Sequence, residues 1–270
     1  MEQESELATT LQIPMTHPYL KPKYYVRACY RRLYKEIVAE IEKRGDWLHL
    51  TITGTPGIGK SLFCNYVFDQ LRQESSPYQD RTFILASFDE NQKFIKAVVY
   101  VPGKDELKIP TVEKYHIASH EYEKAIHLYD GAPRTVKQQI PTIVFTSPNY
   151  GWFKHIRKIM YNRTRYMETW DYDELLKAVK NLELPISTDE IYKRYQLFGG
   201  VARYCIADNK EAVKSEEKRF NNAINAIDSF DDLRKCLNGT EDHEKIAHRL
   251  FHYVPQKNPA DADIMFASNQ

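Results

Sequence analysis

Residues 54–61 read Gly54-Thr55-Pro56-Gly57-Ile58-Gly59-Lys60-Ser61, the spacing G-x-x-x-x-G-K-S. In that spacing each residue type has a task. The glycines let backbone N–H groups curl around a phosphate, the lysine reaches the β- and γ-phosphates, and the serine hydroxyl ligates Mg²⁺. The run predicts ATP and Mg²⁺ as cofactors, held by Gly54, Thr55, Pro56, Gly57, Ile58, Gly59, Lys60, Ser61 and Leu62. The flanks agree. Residues 47–53 alternate like a strand, and 61–72 read as a helix with Leu62, Tyr66 and Leu71 near one face. Such a helix N-terminus adds partial positive charge where the phosphate would sit.

Hydrolysis needs more than binding: a metal-orienting acid, an oriented water and a cation for the developing charge. Asp130 closes the short apolar run 125–129 and suits the first role, sharing Mg²⁺ with Ser61. Asp-Gly is also a common turn. Gly131 and Ala132 follow it, so the glutamate that many such ATPases carry there as general base is missing; Asp89 and Glu90, after the run 82–88, are the nearest substitutes. Ser147 or Asn149, after the apolar run from Pro141, could sense the γ-phosphate; Thr146 and Ser147 alternate, so only one of them points the right way. Ser147-Pro148-Asn149 suits a helix cap equally well. Arg203, after Gly199-Gly200-Val201-Ala202, starts a helix from which its planar fork could reach phosphate. The candidate catalytic set is Lys60, Asp130, Glu90, Asn149 and Arg203.

Two other clusters gather residue types that could do chemistry. His243-Glu244, His248 and His252 lack the H-E-x-x-H spacing and a third ligand, which favours a structural role. Lys154, Arg157, Lys158, Arg163 and Arg165, with Tyr161 and Tyr166 interleaved, read first as a solvated face; they could also follow a nucleic-acid backbone or supply an arginine to a neighbouring copy.

The elements that must position these residues follow from pattern. Residues 24–44 have helical spacing at Val26, Tyr30, Leu33, Ile37 and Ile41. Strands are expected at 82–88, 94–101, 125–129 and 141–147, a helix from about 149 to 164, and a short last strand at 166–170. The stretch 102–124 is charged and weakly patterned. Alternating strands and helices argue a parallel sheet covered on both faces. Beyond Trp170 the segments 171–182, 187–198 and 211–230 all read as helices, the second opened by the capping box Ser187-Thr188-Asp189-Glu190. The expectation is an α/β P-loop NTPase core with a central mainly parallel sheet, followed by a C-terminal α-helical lid. The segments would be a tail or strap at 1–20, the core at 21–170, the lid at 171–255, and at 256–270 a tail or the start of a further domain.

A chain of 270 residues has material for one large domain or a core with a smaller companion. Its net charge of +1 gives no global attraction to nucleic acid or membrane. Cys29, Cys64, Cys205 and Cys236 form no C-x-x-C pair, which suits a reducing compartment, and Cys64 on the helix after the loop suits apolar packing. No apolar run reaches membrane-spanning length, and the acidic start lacks a secretory core. A soluble intracellular protein without a membrane partner is expected.

Several motifs together resemble one family. The loop as Thr53-Gly-Thr-Pro-Gly-Ile-Gly-Lys-Ser-Leu-Phe63, the strand end Leu128-Tyr-Asp130 and Thr146-Ser-Pro-Asn149 resemble the ATPase module shared by Crinkler effectors and retrotransposon hot-spot proteins. So do Thr169-Trp170 with Glu174-Leu-Leu176, and Tyr195-x-x-Phe198-Gly-Gly-Val-Ala-Arg203-Tyr204, then His248-Arg-Leu-Phe-His252 and Phe266-Ala-Ser268. The likeness covers about 46–268. It implies an AAA+-like ATPase with a helical lid whose arginine, here Arg203, acts as a second sensor. It also implies a host-protein partner and a nuclear or host-delivered location. ATP and ADP as ligands follow from the loop itself, a nucleic-acid partner from the basic run 154–165, and self-association from the arginine that Arg163 or Arg165 could supply to a neighbouring copy. The family's usual proline before the sensor arginine is Ala202 here, and its header and nuclease domains lie outside the residues of this chain.

Overall fold

The computed structural model describes residues 6–104, 107–109, 111–122, 124–227, 229, 231, 234, 248–258 and 260–267. In chain order, β1 (Leu7–Thr9) and β2 (Lys23–Tyr25) precede α1 (Ala28–Arg44), a single 3₁₀ turn (Gly45–Trp47), β3 (His49–Thr53) and α2 (Lys60–Leu71). Next come β4 (Phe83–Phe88), β5 (Phe94–Tyr100), β6 (Leu107–Ile109), α3 (Val112–Glu121), β7 (Ile126–Asp130), β8 (Thr142–Phe145), α4 (Tyr150–Ile156) and β9 (Asn162–Tyr166). The C-terminal elements are α5 (Tyr172–Asn181), α6 (Thr188–Phe198), α7 (Ala202–Cys205), α8 (Lys210–Asn225), β10 (Phe251–Pro255) and β11 (Ala262–Phe266). They form two compact units. The first takes in the chain up to Thr53 and Lys60–Arg165; the second takes in Gly54–Gly59 and the chain from Tyr166 on.

The first unit is built on a seven-stranded sheet ordered β6-β5-β4-β7-β8-β3-β9. β4, β7, β8 and β3 pair in parallel, and β5 and β6 extend the β4 edge antiparallel. This is an α/β fold with a central mainly parallel sheet, of the P-loop NTPase kind. Helices cover both faces, so β3, β4, β7 and β8 are buried along their whole length, which is why they read as continuous apolar runs. On one face Phe63 of α2 meets Phe145 with ring centroids 5.6 Å apart, and Phe68 meets Phe83 at 5.5 Å. On the other, Trp152 and Ile156 of α4 join Ile84, Phe88, Tyr129 and Val144. Adjacent residues such as Val144 and Phe145 go to opposite faces, as the two-residue strand period requires. The Trp152 indole N–H donates to Thr51 Oγ1 at 3.0 Å, so this fully buried ring leaves no orphan donor.

The chain departs from the sequence expectations at identifiable places. α1 starts at Ala28 because 23–25 pair with β1 instead. Leu62 is only half-buried, and α2 buries Phe63, Val67 and Phe68 along with Tyr66 and Leu71. The weakly patterned stretch after 102 holds β6 and α3. The helix expected to reach about 164 stops at Ile156, and the last strand is Asn162–Tyr166 rather than 166–170. That strand sits at the edge of the sheet and is half-buried throughout, so its polar sequence Asn-Arg-Thr-Arg-Tyr carries no apolar signature.

The second unit holds α5–α8 and the antiparallel hairpin β10–β11, with Phe251 opposite Phe266. Asp171 Oδ1 caps α5 by accepting the Glu174 N–H at 2.7 Å, and Ser187 Oγ caps α6 by accepting the Glu190 N–H at 3.2 Å. α8 ends at Asn225, short of the expected 230. The segment expected to be the lid, 171–255, ends in β10, and the partner strand β11 lies in the segment expected to be a tail or the start of a further domain. Five-residue strands are too short for their alternation to stand out without the partner in view.

Candidate nucleotide site

The loop run is shared between the units: Lys60 and Ser61 belong to the first, Gly54–Gly59 to the second. In the first unit Lys60 and Ser61 open α2 and Asp130 closes β7. The strand register sets Ile52, Phe145, Asp130 and Ser87 in one row across β3, β8, β7 and β4. The carboxyl ends of four strands therefore meet at one edge, where ligands bind in open α/β sheets. β8 lies between β3 and β7, so Thr146, Ser147 and Asn149 leave the sheet between the strand feeding the loop and the strand ending in Asp130.

Ser61 Oγ donates to Asp130 Oδ1 at 2.7 Å. The backbone N–H of Thr16 donates to the other carboxylate oxygen, Oδ2, also at 2.7 Å. The Thr16 hydroxyl is shared between the main-chain carbonyls of Phe88 (2.9 Å) and Asp130 (3.0 Å). Asp130 is 4% exposed and Lys60 7%. Burial pushes the Asp130 carboxyl above the ordinary carboxylate range; the hydrogen bonds from Ser61 and Thr16 and the charge of Lys60 oppose that rise. A serine hydroxyl and an aspartate carboxylate are hard oxygen donors, and Mg²⁺ is characteristically held by one or two such groups plus waters and substrate phosphates. The residues present fit that cation.

Gly131 explains the missing base. Its φ is +92°, its N–H donates to Phe145 O at 2.9 Å, and a Cβ would run into the Phe88 carbonyl oxygen and lie 3.3 Å from Thr16 Oγ1. A glutamate cannot stand there. Asp89 accepts the N–H groups of Asn91 and Lys93, 2.9 and 2.8 Å away, and so shapes the β4–β5 turn, in which Glu90 is exposed. Asn149 Oδ1 accepts the Trp152 N–H at 2.8 Å and caps α4, and Gln92 Nε2 approaches the same oxygen at 3.5 Å. Ser147 is half-buried, and Thr146 turns its hydroxyl onto the Ser147 carbonyl. Arg165 forms ion pairs with Glu36 and Glu40 at 2.8 and 3.1 Å, whereas Lys154, Arg157 and Lys158 are exposed.

In the second unit the glycine loop is gripped from several directions. The Trp170 indole N–H donates to Ile58 O at 2.8 Å. The Arg203 N–H donates to Gly57 O at 3.1 Å, and a Cβ on Gly57 (φ +85°) would meet Val201 Cγ1 at 2.9 Å and Arg203 Cβ at 3.0 Å. The Tyr253 N–H of β10 donates to Thr55 Oγ1 at 3.0 Å, and Gly54 leaves room for the Met167 carbonyl. Gly54, Thr55 and Ile58 are buried, while Pro56, Gly57 and Gly59 are part-exposed. Arg203 is exposed on α7. That short helix is held by the buried Arg194, whose Nη1 donates to Ala207 O at 2.7 Å and whose Nη2 pairs with Glu190.

Sequence reasoning missed Thr16, Arg194 and Tyr253. Thr16 and Tyr253 carry no local signature, because each acts through its main chain on a residue far away; Arg194 does carry one, the i,i+4 pair with Glu190 on α6, which a search for helical charge pairs could have found. Of the histidine cluster, His243 and Glu244 lie outside the described residues, as do Cys236 and Ser268. His252 is buried on β10, and burial pushes its pKa down to about 4. Cys64 is buried, with its thiol pKa pushed well up by burial. Among the described residues no group of three His, Cys, Asp or Glu side chains is placed to hold a metal, and no helix is long and apolar enough to cross a membrane.

No protein-family model matches the chain, and no curated protein sequence matches it. Among solved structures it is similar to the Thermotoga maritima RuvB Holliday junction branch migration motor, at 13% identity over 75% of this chain and with a TM-score of 0.39. The match spans 64% of that structure's chain, and at this distance it says nothing of ligand, partner or reaction.

Proposed function

We propose that the chain is an ATP–Mg²⁺-binding P-loop NTPase of the AAA+-like kind, allied to the ATPase module of Crinkler and retrotransposon hot-spot proteins, and that it hydrolyses ATP slowly. The observation that carries this is the 2.7 Å hydrogen bond from Ser61 to Asp130, between residues 69 positions apart. It joins the loop hydroxyl to a strand-end carboxylate, the pair that phosphate-loop enzymes use for Mg²⁺. The family reading is supported by the way its motifs touch within the second unit: Gly57 with Arg203, Ile58 with Trp170, Gly200 with Trp170, and Gly199 with His252.

In this reading the backbone of Gly54–Gly59 wraps the phosphates, Lys60 neutralises the β- and γ-phosphates, and Ser61 with Asp130 holds the cation. Mg²⁺, when bound, neutralises charge developing on the phosphate oxygens. Arg203 contacts the γ-phosphate, and Ser147 or Asn149 orients it or the attacking water. Glu90 is the candidate base, and its exposed place in the β4–β5 turn suits slow turnover. Self-association would supply a further cation; Arg163 suits that role better than the paired Arg165. A nuclear or host-delivered location follows from the family reading alone.

The glycine forced at 131 favours a second reading, a nucleotide-gated module that binds a protein or nucleic acid with little or no hydrolysis. ATP binding and hydrolysis by the parent and by Lys60→Ala, across a range of protein concentrations, separate the two. Turnover that requires Lys60 and rises per molecule with concentration supports the ATPase. Lys60-dependent binding without turnover at any concentration supports the module. Equal activity in Lys60→Ala sinks both.

A further inference from the structure

We propose that Thr16 is a positioning residue for the Asp130 carboxylate and, through it, for the Mg²⁺ ion; the proposal rests on the ATP–Mg²⁺ reading. An aspartate carboxylate turns easily about its last side-chain torsion, which has broad minima. Asp130 is held at both oxygens instead: Ser61 Oγ donates to Oδ1 and the Thr16 N–H to Oδ2, each at 2.7 Å. It cannot rotate without losing one of them. Bonds to an ionised acceptor are the stronger kind, and a main-chain donor is the most rigid source of one.

That donor is itself fixed. The Thr16 hydroxyl bonds to the carbonyls at the ends of β4 and β7. Upstream, the buried Asn65 of α2 binds both main-chain groups of Leu11: Nδ2 donates to Leu11 O at 3.2 Å and Oδ1 accepts the Leu11 N–H at 3.4 Å. β1–β2 pairing closes the base of the segment. An ordered strap thus runs from the helix that Lys60 and Ser61 open to Asp130, the acid with which Ser61 would share a cation. With Oδ2 taken by Thr16, Oδ1 and the Ser61 hydroxyl are the oxygens that would hold the cation. Donors behind a metal ligand set its orientation, and removing one characteristically weakens metal binding.

The test uses the full chain and a fluorescent ATP analogue, with affinity measured across a Mg²⁺ titration and again in EDTA. Thr16→Val keeps the branched shape and drops the hydroxyl, so the strap loses its hold on both carbonyls. The Mg²⁺ concentration at half-maximal binding should rise roughly tenfold, with affinity in EDTA unchanged and Thr16→Ser within about twofold of the parent. Should Thr16→Val not fold, Thr16→Ala is read in the same way. An unchanged Mg²⁺ midpoint overturns the proposal. So does an equal loss with and without Mg²⁺, which would make the strap merely structural. A lower midpoint overturns it too, because the strap would then compete with the cation. If the parent chain binds no nucleotide, the ATP reading falls and the Thr16 role falls with it, whereas binding by the parent with any of those three outcomes removes the Thr16 role alone.

Discussion

Around Asp130 the donors aim at a charge: Ser61 and Thr16 each take one carboxylate oxygen, with Lys60 nearby. Around Gly54–Gly59 the hydrogen bonds named above come from neutral donors. An indole N–H and two main-chain N–H groups reach the loop, and Val201 and Arg203 pack where Gly57 has no side chain. Neutral hydrogen bonds contribute about 1 kcal/mol each and mainly set shape, while bonds to a charge are worth roughly twice that. The loop is therefore a matter of fit and the acid a matter of electrostatics. The two should fail in different ways.

The largest effects test fit on both sides. Gly131→Ala drives a Cβ into the Phe88 carbonyl in the first unit, and Gly200→Ala drives one into the main chain of Trp170 in the second. Each should cost more than about 4 kcal/mol, the range reserved for clashes that the backbone cannot relieve. Amide hydrogen exchange should register the loss of protection mainly in the unit that carries the change. Protection lost equally in both units would break the comparison.

Acid comes next and separates the units by charge. His49 and His127 are each 2% exposed, and burial pushes their pKa values down to about 4 and about 3. His252 of the second unit is pushed down to about 4. In the unfolded chain all three titrate near 6.5. Between those limits the unfolded state binds more protons, so the stability from burying neutral rings is complete above about pH 6.5 and falls as pH drops toward 4. At pH 5 the loss is about 2 kcal/mol per histidine, so roughly 4 for the first unit and 2 for the second. Exchange-derived opening free energies at pH 7 and pH 5 measure this. A flat profile would mean that the folded rings bind protons as readily as the unfolded ones, so that burial does not depress their pKa values.

The smallest effect is the sharpest. Trp170→Phe keeps most of the ring and removes the donor to Ile58 O, leaving a buried carbonyl short of its partner at about 1–2 kcal/mol. Nucleotide affinity should fall several-fold with the Mg²⁺ midpoint unmoved, the reverse of Thr16→Val. A shifted midpoint in Trp170→Phe would show that shape and charge are not separable here.

What the sequence by itself determined is local. The G-x-x-x-x-G-K-S spacing, the buried strands β3, β4, β7 and β8, the strand-end place of Asp130 and the capping box at Ser187 all rest on residues within one turn or one strand of each other. Tertiary structure alone decided the rest. It set the strand order that puts β8 between the loop strand and Asp130. It brought Thr16 onto an acid 114 positions away and Tyr253 onto a threonine 198 positions away. It also made Gly131 obligatory by placing the Phe88 carbonyl against it. Periodicity and turn chemistry are written into neighbouring residues, whereas a main-chain donor has the same chemistry at every position but proline and gains a role only when the fold brings an acceptor to it.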